Sequence, residues 1–183
     1  MKELKDYVRL FEDVVPKKIC ENVITAFNSA PKDADAIQKH ETENYKFDQW
    51  DLNQTGFAEL ATAFVHASYP KLHQYVSDLG LQNFLPITGG FEHTRVKKYY
   101  KNSDYRFDPH VDVVDRNTCH RALVFMAYLN DNNGVTEFPT LDLQFTPKAG
   151  DLLVFPPLWM FPHGGKNPTD NDKYIMMSSV HYL

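Results

Sequence analysis

The sequence predicts a mainly β fold supported by helices near its N-terminus, and three observations carry that expectation. Helical periodicity is confined to the part of the chain before Gly80. Beyond it, short β-type runs alternate with turn clusters such as Asn130-Asp131-Asn132-Asn133-Gly134 and Pro147-Lys148-Ala149-Gly150. Aromatic residues make up 14% of the chain, a share that suits strands and an aromatic-lined interior. At 183 residues the chain fits a single domain, 1–183, in which 1–80 is mostly helical support and 81–183 is the β core.

Taken in order, Tyr7 to Phe11 reads as a first strand. From Pro16 to Phe27 the apolar residues Ile19, Cys20, Val23, Ile24 and Phe27 recur at helical spacing, with Pro16 suited to a helix start. Lys32 to Asn44 is polar and reads as a loop, while Tyr45 to Trp50 alternates as a strand does. Asp51 or Asn53 could cap a second helix from Gln54 to Leu79, which Pro70 should bend or split. Strands are expected over Phe91 to Tyr100, Ala122 to Leu129, Val135 to Phe138, Leu141 to Phe145, Asp151 to Phe155 and Tyr174 to Tyr182. So many short strands imply a sandwich or barrel, and a jelly roll would give an interior able to hold a ligand.

A net charge of -5 argues against general binding to nucleic-acid phosphates; the local cluster Arg95-Val96-Lys97-Lys98 reads as a solvated strand face. The two cysteines, Cys20 and Cys119, are too few for a disulfide framework or a thiolate metal site. The charged start lacks a signal peptide's apolar core, and no later stretch approaches the about 20 apolar residues of a membrane helix. A soluble cytoplasmic protein with no membrane or nucleic-acid partner is the expectation.

The chemistry concentrates at Asp108-Pro109-His110-Val111-Asp112. In a strand, His110 and Asp112 face the same side. A His-x-Asp pair alone is common by chance, but a third candidate ligand follows in Phe161-Pro162-His163-Gly164-Gly165, and Lys173 heads an apolar run. Two histidines and a carboxylate with open positions suit a non-haem Fe(II) site. A lysine entering a buried strand is costly unless it meets an anion, so Lys173 asks for a carboxylate partner, either a protein Asp or Glu or a bound acid.

The ordered set Tyr100, Asp108 to Asp112, Arg121-Ala122, Tyr128-Leu129-Asn130, Gly134 to Pro139, Pro147 to Phe155, His163 and Lys173 resembles the 2-oxoglutarate/Fe(II)-dependent dioxygenases of the prolyl 4-hydroxylase type, in a compact microbial or viral form. The resemblance implies a double-stranded β-helix, the jelly roll of that family. It also implies that His110, Asp112 and His163 bind Fe(II) and form the catalytic centre. Lys173 would pair with the far carboxylate of 2-oxoglutarate, Tyr100 and Tyr128 would contact this cosubstrate, and Arg121 and His181 would bind the substrate peptide. O2 is consumed, ascorbate is implied as an accessory reductant, and succinate and carbon dioxide are released as one oxygen enters the substrate.

Strand parity puts His181 on the face of Lys173 but sets Arg121 and Tyr128 on opposite faces, unless a bulge intervenes. Ser179 stands where the family commonly has tryptophan, and Asn133 where it often has glycine. Trp159, in the aromatic and proline-rich approach to His163, could wall the pocket or receive a peptide, or simply pack. A peptidyl proline is the expected substrate. A free amino acid or other small molecule, a non-catalytic jelly-roll binding module, and a structural iron or zinc site in a hydrolase are the alternatives.

Overall fold

The computed structural model describes residues 2–30, 36–54 and 56–182. Its strands are β1 (Arg9–Phe11), β2 (Ile37–Glu41), β3 (Tyr45–Asp51), β4 (Ile87–Phe91), β5 (Arg95–Tyr99), β6 (Arg106–His110), β7 (Arg121–Tyr128), β8 (Thr136–Phe138), β9 (Leu143–Phe145), β10 (Leu152–Phe155), β11 (His163–Gly165) and β12 (Lys173–Tyr182), with helices α1 (Lys17–Ser29) and α2 (Ala58–Leu79). The strands form one sheet in the order β1-β10-β7-β12-β5-β3-β6-β11-β8-β9, with β2 beside β3 and β4 beside β12. Every pairing is antiparallel. Strands β1 and β3, from the part of the chain read as helical support, belong to this sheet, so residue 80 marks no structural boundary.

Alternation along the central strands separates two cores. Leu123, Phe125 and Ala127 of β7, with Tyr174, Met176 and Val180 of β12, pack against Cys20, Val23 and Phe27 of α1 and Phe64, Leu72, Tyr75 and Leu79 of α2. Their neighbours Val124, Met126, Tyr128 and Ile175 point the other way. There they meet Phe47 and Tyr99, but also Phe138, Leu153 and Phe155. Because this second cluster draws on strands from both ends of the sheet order, the sheet curls around it.

The helices differ from expectation in instructive ways. α2 runs through Pro70 without ending, since Phe64 and Ser68 before it and Leu72 and Tyr75 after it are buried against the same layer. Packing of that face outweighs the missing backbone donor. The helix stops at Gly80, whose φ of 70 places it in the left-handed region and lets its amide donate to Val76 and Ser77 carbonyls. Asp51 does not cap the helix; its Oδ1 accepts from Asn53 and Gln54 amides in a turn ahead of it.

The polar segment read as a loop contains β2, an edge strand on β3 whose exposed positions explain its composition; residues 31–35 lie outside the described residues. The single strand expected over Phe91 to Tyr100 is two strands, broken at Glu92 to Thr94, where the Glu92 amide donates to the Ser179 carbonyl. Among the described residues no helix is long and apolar enough to cross a membrane.

Phe64 is fully buried between α2 and the sheet. Phe64→Ala is expected to cost about 3–5 kcal/mol in urea unfolding, as a large aromatic deletion in a packed core does. A cost under about 1 kcal/mol would mean that α2 does not hold this position.

Candidate active site

Three segments converge on the curled interior. His110 ends β6 and His163 begins β11, and the two are directly opposed in the antiparallel register. Their imidazole centroids lie 4.5 Å apart. Asp112 follows just beyond β6, held by donation of its amide to the Pro157 carbonyl at 3.2 Å. The close approach of β11 to β6 requires Gly164: a Cβ there would lie 3.0 Å from the Phe107 carbonyl oxygen and 3.2 Å from the Pro109 nitrogen.

The resulting donor set suits a divalent ion. The Nε2 atom of His110 is 3.5 Å from Asp112 Oδ1, and Nε2 of His163 is 3.6 Å from Oδ2. Their Nδ1 atoms face backbone carbonyls, His110 that of Asp108 at 3.0 Å and His163 that of Phe161 at 3.2 Å. Each Nδ1–H can donate there, which fixes the tautomer and leaves an Nε2 lone pair facing the carboxylate. Asp112 Oδ2 is buried and has no hydrogen-bond partner among the described residues. A buried carboxylate oxygen without a donor asks for a cation.

The electrostatics agree. Burial alone would raise the Asp112 carboxyl, but His110, His163 and Lys97 outweigh it and hold the group well below the usual carboxylate range. Burial pushes His163 down to about 4, so its imidazole is neutral near pH 7, as ligation requires. Phe107 stacks on His110 at 3.5 Å and 6°, and Phe155 meets the His163 ring edge-on at 4.5 Å. These contacts lock both rings.

Lys173 lies at the start of β12 with its ammonium fully inside. It donates to the Gly134 carbonyl at 2.7 Å and to Thr136 Oγ1 at 3.4 Å. Neither partner carries charge, and burial pushes the lysine down to about 7. Tyr128 borders it, the ammonium lying 5.9 Å from the ring centroid. The Tyr128 hydroxyl is buried without a hydrogen bond of good geometry, Thr136 being its polar neighbour. Lys173, the triad, Tyr99, Thr136, Phe107 and Lys97 line one small cavity.

Not every expected residue lies here. Tyr100 points to the other face of β5, where its hydroxyl donates to Asp48 at 2.9 Å in a separate depression. The tyrosine lining the cavity is its neighbour Tyr99, because the register pairs Tyr99, not Tyr100, with Lys173. Trp159 is 78% exposed on a turn and does not wall the cavity. The segment that carries it contributes instead through the carbonyls of Pro157 and Phe161. Lys97 and Lys98, read as a solvated face, are each only 8% exposed. The parity conflict between Arg121 and Tyr128 has a physical answer. The register passes from Val180↔Leu123 to His181↔Arg121, so Ala122 is the extra residue of a bulge.

That bulge places Arg121 beside His181 at the far end of β12 from Lys173, beyond the residues that line the cavity. Arg121 donates from Nε to Glu92 Oε1 at 2.8 Å and from Nη1 to the Asp112 carbonyl at 2.9 Å. His120 and His181 approach the same Glu92 oxygen at 3.3 and 3.1 Å. Burial pushes the Glu92 carboxyl up, but Arg121 leads the opposing contacts and the net effect is downward. Glu92, His120 and Tyr99 were not singled out in the sequence, and Lys97 was read only as part of a solvated basic run. A hint for Glu92 was available, since inward-facing Arg121 and His181 need an anion between them.

Comparison with known proteins follows from this geometry. Residues 94–181 match the family model described as the 2OG-Fe(II) oxygenase superfamily, a span that contains the triad and Lys173. Residues 94–181 thus form a domain of this superfamily. As an enzyme of this class it is a 2-oxoglutarate/Fe(II)-dependent dioxygenase, for which Fe(II), 2-oxoglutarate and O2 are the implied reactants at the cavity.

Solved structures similar to the oxygenase include the viral collagen prolyl hydroxylase of Paramecium Bursaria Chlorella virus-1 in its 2OG complex (TM-score 0.64, 16% identity, covering 97% of each chain). A Trichoplax adhaerens prolyl hydroxylase in complex with a hypoxia inducible factor peptide fragment has TM-score 0.72 and 15% identity, covering 96% of this chain and 84% of that one. A Pseudomonas putida prolyl-4-hydroxylase has TM-score 0.65 and 15% identity, covering 97% and 93%. At these identities the likeness is one of fold. Among curated protein sequences none matches.

Metal binding gives a test independent of turnover. Co(II) or anaerobic Fe(II) is expected to raise the melting temperature of the oxygenase at one ion per chain. Asp112→Ala is expected to weaken that binding by at least about 100-fold, since it removes the anionic ligand. Unchanged stoichiometry and affinity in Asp112→Ala would place the ion elsewhere.

Proposed function

We propose that this oxygenase hydroxylates a peptidyl proline, on a double-stranded β-helix spanning one domain, with release of succinate and carbon dioxide. The observation that carries this reading is the polarity of a single strand. β12 presents Lys173 at one end, inside the triad's cavity, and His181 at the other, beside Arg121 and Glu92. One end suits a small dicarboxylate and the other, with Arg121 and Glu92, suits the polar backbone of a peptide. That the similar structures named above are prolyl hydroxylases supports the same reading.

In this reading His110, Asp112 and His163 hold Fe(II), which with 2-oxoglutarate and O2 supplies the oxidant that puts one oxygen atom into a substrate C–H bond. Lys173 pairs with the distal carboxylate, and Thr136 and Gly134 keep its ammonium aimed into the cavity. Tyr128 offers an unused hydroxyl on the same side. Phe107, Phe155, Met126, Ile175 and Met177 keep the reacting region dry. Arg121 links the Glu92 carboxylate to the backbone of the triad residue Asp112. A proline in an extended segment presents its ring without unfolding a partner. A free amino acid or other small molecule is the second reading, favoured by Ser179, a small residue on the inward face of β12 near the mouth where a larger one would grip a peptide.

The anchoring role of Lys173 has a pH signature. With its pKa near 7 when unpaired, the lysine is already charged below that value and must take up a proton to meet a carboxylate above it. Affinity for 2-oxoglutarate is therefore expected to fall as pH rises from 7 to 8.5, with proton uptake seen by calorimetry in buffers of different ionisation enthalpy. Lys173→Met should bind weakly and without the pH dependence; retention of both would remove Lys173 from the cosubstrate site. For the substrate, the test is mass spectrometry of a panel of proline-containing peptides with Fe(II), 2-oxoglutarate and O2. The expected result is gain of one oxygen on proline with matching succinate. Turnover of free amino acids with none of the peptides would favour the second reading.

A further inference from the structure

Among the described residues Lys97 is the one charged group lining the cavity that the reaction as described does not use. It sits on β5 opposite Ile175, two positions from Tyr99, and its side chain is 8% exposed. Its ammonium lies 4.3 Å from the Phe47 ring centroid and 5.0 Å from that of Phe107, the ring stacked on His110. Among the described residues no hydrogen bond or ion pair reaches it. Aromatic faces compensate a buried ammonium only in part.

Phe107, whose ring lies beneath the Lys97 ammonium, is itself stacked on His110, so Lys97 stands on the metal side of the cavity, whereas Lys173 is held by Gly134 and Thr136. A loaded cavity is neutral without it: a divalent ion and Lys173 together match the Asp112 carboxylate and the two carboxylates of 2-oxoglutarate. With the ion on Asp112, that carboxylate no longer compensates Lys97. One positive charge is then left over, in a dry region facing the substrate.

We infer that Lys97 receives a carboxylate carried by the substrate close to its reacting carbon, so that the substrates of this oxygenase are acidic there. The carboxylate is either the side chain of an Asp or Glu flanking the target residue or the α-carboxylate of a free amino acid. This inference rests on the oxygenase assignment and on the substrate entering from the mouth, but not on the target being proline.

The test is binding without turnover, on the Co(II)- and 2-oxoglutarate-loaded protein under argon. Acetylated and amidated Xaa-Pro-Xaa peptides with Asp or Glu at one flank are compared with their Asn and Gln counterparts, free L-proline with L-prolinamide, and N-acetyl-glutamate with its amide. The acid member of at least one pair is expected to bind about tenfold or more tightly, a preference that a charge-assisted bond in a dry site sustains. In Lys97→Met that ratio should fall to near one, while Lys97→Arg retains part of it and circular dichroism verifies that both variants are folded. The pair that shows the effect identifies the source of the carboxylate. Equal binding of acids and amides, or a preference that survives Lys97→Met, overturns the inference. So does a Lys97→Met that loses 2-oxoglutarate affinity instead, which would assign the lysine to the cosubstrate. A Lys97-dependent preference confined to the non-proline pair upholds the inference and sinks the prolyl reading.

Discussion

The register between β6 and β11 sets His163 opposite His110, and the rest of the site is arranged around that pairing. It brings two imidazoles within reach of one carboxylate only because Gly164 allows the strands to close and because Pro157 and Phe161 offer carbonyls at the right places. Those carbonyls orient a backbone amide and a ring N–H, respectively. The ligand atoms are then aimed at one another, leaving Asp112 Oδ2 as a buried acceptor that no group among the described residues satisfies. Such an arrangement is costly unless an ion completes it.

The two buried lysines extend this logic. Lys173 and Lys97 both leave inward-facing strand positions and both have depressed pKa values, at about 7 and about 8. Burial dominates in each, but their surroundings differ. Lys173 has a carbonyl and a hydroxyl to hold its direction, which suits an anchor with a fixed partner. Lys97 rests on aromatic faces with no oxygen to aim it, which suits a partner that comes and goes. At the far end, Glu92 collects Arg121, His120 and His181 on one oxygen and so gathers the polar mouth around a single carboxylate.

Much of this was legible in the chain. A His-x-Asp pair alone is common by chance, and the triad stood out only because His163 and Lys173 follow His110 and Asp112 in order. Alternation along β12 set Lys173, Ile175 and Met177 on one face, and all three line the cavity. The limits were equally physical. Tyr99 and Tyr100 are adjacent and chemically identical, so only the pairing with Lys173 could decide which enters the cavity. Arg121 reached the mouth through a bulge that parity could require but not locate. Lys97 looked like part of a solvated basic run because a buried lysine and an exposed one have the same letter. The edge strand β2 carried the polar composition of a loop for the reason that edge strands do, and the helix through Pro70 showed packing overriding a local breaker.

The central claim is that both histidines bind one metal through Nε2 while their Nδ1–H groups are held by backbone carbonyls. Proton NMR of the Co(II)-loaded protein in water tests it most directly, since each ligating imidazole with a protected Nδ1–H should give its own exchangeable, strongly shifted resonance. Two such resonances are predicted, one lost on substitution of His110 and the other on substitution of His163. Their absence, or resonances that depend on His120 and His181 instead, would contradict the account.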